Sequence, residues 1–106
     1  MGVRFPFEFQ LVEGKSVLPE TYSATAIDIG YHGMFVHTGI RLEPHTEIKL
    51  RMSLSLLGDR VREVYARVLM VREEGESFGV GLEFTGMDEA TRGALKDYID
   101  RLVQSR

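Results

Sequence analysis

Short segments in which apolar and polar residues alternate recur along most of this chain. An apolar residue at every second position is typical of a β-strand with one buried face. The cleanest case is the stretch with Ile48, Leu50, Met52 and Leu54 on one side and polar residues on the other. The same pattern predicts six strands between about residues 5 and 85, namely 5–11, 21–29, 34–37, 47–54, 64–70 and 78–84.

Turn signals separate these segments. Gly14, Gly58 and Gly75, each next to charged residues, predict tight connections between strands.

Along residues 64–70 the alternation places Val64, Ala66, Val68 and Met70 towards the core, and it turns the intervening side chains outward.

The period changes after residue 86 and predicts a C-terminal helix over about residues 88–104. Asp88 suits the capping position, because its carboxylate can accept a hydrogen bond from a free amide of the first turn. One apolar stripe at helical spacing follows it, consisting of Leu95, Tyr98, Ile99, Leu102 and Val103. We expect one mainly β domain over residues 1–106, a β-barrel or sandwich whose helix docks on the barrel or covers one end.

Composition narrows the functions that such a domain can have. The chain has 13 Lys and Arg against 16 Asp and Glu, for a net charge of −3, so DNA and RNA are not expected partners. There are no cysteines, and no apolar run approaches the length of a membrane span, which fits a cytoplasmic protein. The three histidines form no metal-binding pattern, and no nucleophile or acid–base set is visible, so we expect neither a metal site nor an enzyme.

Three segments together resemble the PilZ domain family of bacterial cyclic di-GMP signalling. Residues 28–36 read DIGYHGMFV and resemble the family's D-x-S-x-x-G motif with the strand that follows it. Residues 66–72 are similar to its long penultimate strand, and residues 78–84 to its closing G-[IV]-G-x-x-F strand. The resemblance implies a six-stranded antiparallel Greek-key barrel, the PilZ-like split barrel, with a C-terminal α-helix.

The resemblance also implies candidate residues for binding cyclic di-GMP. Asp28 and Gly33 match the first motif, whereas Gly30 replaces its serine. In the family a second motif, R-x-x-x-R, precedes the first strand, and Arg4 matches its second arginine at most. The plainer readings stay open: Asp28 as a turn-capping residue and Arg4 as a solvated side chain.

We therefore expect a signalling or adaptor domain that binds cyclic di-GMP weakly or not at all and needs no cofactor. It would act mainly through protein partners of motility, pilus or polysaccharide machinery. Tyr65, Arg67 and Leu69 point away from the inferred core and are the candidate contact residues, although a mixed-charge solvated face is an alternative. A second hypothesis is a working receptor whose missing arginine lies upstream of Met1.

Overall fold

The computed structural model describes residues 1–53 and 61–104 of the chain. The predicted turn at Gly58 and the predicted end of a strand at Leu54 lie outside these residues. Within them the chain forms strands and one helix, with these bounds: β1 Gly2–Glu13, β2 Ser16–Val17, β3 Tyr22–Ile29, β4 Gly33–Thr38, β5 Glu47–Ser53, β6 Val61–Glu74, β7 Ser77–Gly86 and α1 Glu89–Gln104.

The sheet is antiparallel and closes into a barrel. Its strands follow the order β1-β3-β4-β7-β6-β5, and β5 pairs back with β1 to complete the ring. The six predicted strands correspond to these six elements, so the predicted barrel with a C-terminal helix is confirmed. The two-residue strand β2 is an addition, because it forms a hairpin with the end of β1 across a turn in which Gly14 has a φ of 59°.

β1 closes the barrel because it pairs with two different strands along its length, first with β3 and then with β5. Its first part pairs with β3 as far as Phe9, and its second part, from Glu8 to Val12, pairs with β5. Pro6 lies in the part that has only β3 beside it. A proline has no N–H to give to a second neighbour, so this is a position that tolerates it.

The core fills the barrel and extends under α1. Phe7 and Phe9 from β1 are buried there with the apolar faces of the other strands, and Ala94, Leu95, Tyr98 and Ile99 of the helix join the same cluster. The ring of Tyr98 meets that of Phe5 edge to face, with 6.2 Å between the ring centroids. The helix therefore packs on the barrel, as the sequence predicted.

The predicted helix cap at Asp88 is confirmed, whereas the prediction that Val103 belongs to the buried face of the helix is wrong. The Thr91 amide donates to Oδ1 of Asp88 at 2.7 Å, which is the bond expected of an N-cap carboxylate. Val103, predicted to be buried, is 54% exposed. The buried face begins one turn earlier, at Thr91 and Ala94, and ends at the partly buried Leu102, so Val103 lies beyond it.

The predicted direction of Met70 is also wrong. β6 pairs Val68 with Leu82 of β7 and then Met70 with Gly81, so Leu69 is an extra residue in a β-bulge. The bulge reverses the alternation beyond Val68 and turns Met70 outward, where it is 46% exposed. Both Leu69 and Met70 consequently lie on the outer surface.

Candidate functional site

The turn between β3 and β4 is tight and is fixed against the barrel. The last pair of the two strands joins Ile29 and Met34, and the Gly30 amide donates to the Gly33 carbonyl at 2.9 Å. The carbonyl of His32 accepts from the amide of Phe84 on β7 at 2.8 Å. Residues 28–33 thus bend sharply between two barrel strands.

Gly33 is needed for a reason that the sequence did not indicate. Glycine is often needed in a turn because it can adopt a φ in the left-handed region, yet among the described glycines such a φ occurs only at Gly14 and Gly75. The constraint comes from the neighbouring strand instead. A Cβ at position 33 would lie 2.1 Å from the carbonyl oxygen of Leu82, so only glycine lets β4 and β7 approach this closely.

Asp28 and Arg4 lie on neighbouring strands. Gly2 is opposite Asp28 in the β1–β3 register, and the Ile29 amide donates to the Met1 carbonyl at 2.9 Å. The Asp28 side chain is 60% exposed, and its Oδ1 is 2.6 Å from the amino group of Met1. Arg4 is exposed on β1, at an irregularity in the same register. Tertiary pairing therefore brings the candidate carboxylate beside the segment that carries the candidate arginine.

Gly30 differs from Gly33, because a side chain at position 30 would make no close contact. The nearest atom to a Cβ built at position 30 is the Gly33 carbonyl oxygen, at 3.9 Å. A serine would fit there without displacing the turn. No packing constraint therefore explains the glycine.

The outer face of β6 carries the candidate protein-contact residues. Tyr65 is 42% exposed and Leu69 is 51% exposed, while Arg67 forms an ion pair with Glu83 at 2.8 Å. Met70 belongs to this surface but was missed, since the alternation of a single strand carries no sign of a bulge. We call Tyr65, Arg67, Leu69 and Met70 the β6 surface. That it contacts a partner stays a prediction.

The comparisons with known proteins agree with the fold. The model of the PilZ domain family matches residues 2–101, which is nearly the whole chain. A search of curated proteins found no match. In the part of the chain that the structure describes, no helix has the length and apolar character needed to cross a membrane.

Proposed function

Because the chain belongs to the PilZ domain family, we propose that this signalling domain of the cyclic di-GMP system works mainly as a protein adaptor and binds cyclic di-GMP weakly or not at all. The observation that carries the proposal is the outer face of β6, where a bulge leaves two adjacent apolar side chains exposed. The candidate ligand site beside β3, in contrast, has few of the groups that such a ligand needs.

Weak ligand binding is supported by the groups around Asp28. A cyclic dinucleotide has two phosphates, and arginine suits them because its planar guanidinium can donate two parallel hydrogen bonds. Arg4 is the one arginine on the β1 segment beside Asp28, and Gly30 offers no hydroxyl. Each lost charge-assisted contact costs about 1.5–3 kcal/mol, or about tenfold or more in affinity.

The adaptor role is supported by the composition of the β6 surface. Partly exposed Tyr, Leu and Met side chains beside an arginine are the residue types that carry binding energy in protein interfaces. The backbone beneath them is well held, since the amide and carbonyl of Val68 bond to residues Thr46 and His45 at 2.9 and 2.8 Å. Rigid backbone lowers the entropy that a partner must overcome on binding.

Isothermal titration calorimetry with cyclic di-GMP tests the ligand part of the proposal. We expect no saturable heat in the low-micromolar range for this chain. Gly30→Ser is expected to give the same result, because a single hydroxyl does not replace a missing arginine. Low-micromolar binding by the unchanged chain would refute the proposal.

The alternative function is a working receptor, favoured by the placement of Asp28 and Arg4 on adjacent strands with both side chains exposed. It requires a second arginine, four residues before Arg4. If a longer native chain supplies this arginine, we expect that chain to bind cyclic di-GMP, and we expect Asp28→Ala and Arg4→Ala each to weaken binding. Failure of the longer chain to bind would exclude this alternative.

Complementation in the source bacterium distinguishes the two functions. In a strain lacking the gene, we expect Leu69→Glu to abolish rescue of motility, pilus or polysaccharide phenotypes, because a charge would disrupt an apolar contact. Val103→Glu is the matched control, since Val103 is equally exposed but lies on α1. Both variants should fold. Rescue by Leu69→Glu together with loss of rescue in Asp28→Ala would favour the receptor.

A further inference from the structure

A groove lies between the β3–β4 turn and the first half of α1, and neither Arg4 nor Asp28 lines it. Its volume is about 500 Å³, which falls in the range of sites that hold small molecules. The turn contributes an aromatic and an imidazole side chain, and the helix contributes charged and apolar ones; the lining residues are Tyr31, His32, Glu89, Arg92, Gly93, Leu95 and Lys96.

The two walls of the groove are connected by hydrogen bonds through Asp100. The Tyr31 hydroxyl donates to one carboxylate oxygen of Asp100 at 2.5 Å, and the Lys96 ammonium donates to the other at 2.8 Å. These bonds, the one from Lys96 first, lower the pKa of Asp100, so the carboxylate stays ionised and keeps both partners. The bond from Phe84 to the His32 carbonyl fixes the other end of the turn. The groove is therefore shaped before any ligand arrives.

Gly93 is the residue on the groove that packing does not explain. It lies inside α1, where glycine destabilises a helix relative to alanine. Its φ is not in the left-handed region, and a Cβ built on it would meet no atom within 4 Å. Neither the backbone conformation at position 93 nor a close contact with another residue requires glycine. What its missing side chain does provide is an unobstructed groove.

The lining combines apolar and cationic groups. Tyr31 is 45% exposed and supplies most of the apolar surface of the groove, since Leu95, which also lines it, is only 2% exposed. Lys96 gives one of its three N–H groups to Asp100 and retains two. Within residues 1–53 and 61–104, no carboxylate forms an ion pair with Arg92, even though Glu89 lines the same groove. Arg92 is consequently the main group available to an anion.

We propose that this groove binds a small ligand that has a planar aromatic group and an anionic group. The aromatic group packs on the exposed ring of Tyr31, where ring stacking and apolar burial favour it. The anionic group, a phosphate or a carboxylate, accepts hydrogen bonds from Arg92 and Lys96. The proposal does not depend on cyclic di-GMP binding at Asp28.

Phenyl phosphate is a suitable probe, and ¹H–¹⁵N correlation spectra of the whole chain give the readout. We expect saturable shifts of the Tyr31, Gly93 and Lys96 amides, with a dissociation constant in the millimolar range that suits a ligand of this size. Inorganic phosphate should bind more weakly because it has no ring. Equal dissociation constants for the two probes, or no saturable shift with phenyl phosphate, would overturn the proposal.

Matched variants test the placement of the ligand. Arg92→Ala should weaken binding about tenfold through loss of a charge-assisted contact, whereas Arg101→Ala, on the same helix but outside the groove, should change it by less than about twofold. Gly93→Leu should abolish binding by filling the groove, while its ¹H–¹⁵N spectrum should remain that of a folded protein. Asp28→Ala should leave it unchanged, which separates this groove from the candidate cyclic di-GMP site. Retained binding in Gly93→Leu would place the ligand elsewhere and contradict the proposal.

Discussion

Replacing Gly33 with alanine is expected to lower the free energy of unfolding by about 3 kcal/mol or more, because the added methyl group overpacks a site closed by backbone atoms. The new methyl group would lie 2.1 Å from the Leu82 carbonyl oxygen and 3.3 Å from the Cα of Glu83. Both are backbone atoms of β7, so no side-chain rotation relieves the contact. β4 and β7 would have to separate, and the hydrogen bonds between them would weaken. Urea unfolding followed by circular dichroism measures the change.

Gly30→Ala is the matched control for this prediction. The two glycines belong to the same turn, but the position of a Cβ at residue 30 has no atom closer than 3.9 Å. We expect a change within about 0.5 kcal/mol, as for an unconstrained surface position. Similar stabilities for the two variants would mean that β4 does not approach β7 as closely as the structure describes.

Leu50→Ala is expected to cost about 2–5 kcal/mol of unfolding free energy, the range for truncating a buried leucine. Leu50 is 0% exposed and lies opposite Phe9 on β1 and Val64 on β6. It therefore occupies the seam where β5 meets β1 and closes the barrel. The cost has two parts, the lost burial of apolar groups and the cavity that remains. Urea unfolding at equilibrium gives the value.

Leu69→Ala removes the same atoms from a surface position and controls for the chemistry of the substitution. Since Leu69 is 51% exposed in the bulge of β6, we expect a stability change within about 0.5 kcal/mol. Equal losses for Leu50→Ala and Leu69→Ala would contradict the closure of the barrel at the β1–β5 seam. Loss of adaptor function without loss of stability in Leu69→Ala would agree with a contact role for the β6 surface.

Part of the candidate site could be predicted from the chain alone. The motif around Asp28 resembles a family motif, and the sharp bend at residues 28–33 follows from two strands joined by a glycine-containing segment. That Arg4 lies beside Asp28 required the β1–β3 register, which depends on residues far apart in the sequence. The groove at Gly93 had no sequence signal, because its walls come from a turn and a helix that are more than 50 residues apart in the sequence.

The sequence by itself determined the six barrel strands, the C-terminal helix and its cap at Asp88. These are local properties, since strand alternation, helical spacing and capping each depend on residues within a few positions of one another. Tertiary structure alone decided the bulge that turns Met70 outward, the close approach that requires Gly33 and the buried face that excludes Val103. Each of these depends on how one element packs against another. The pattern of side chains along a single segment carries no information about how closely a neighbouring element approaches it.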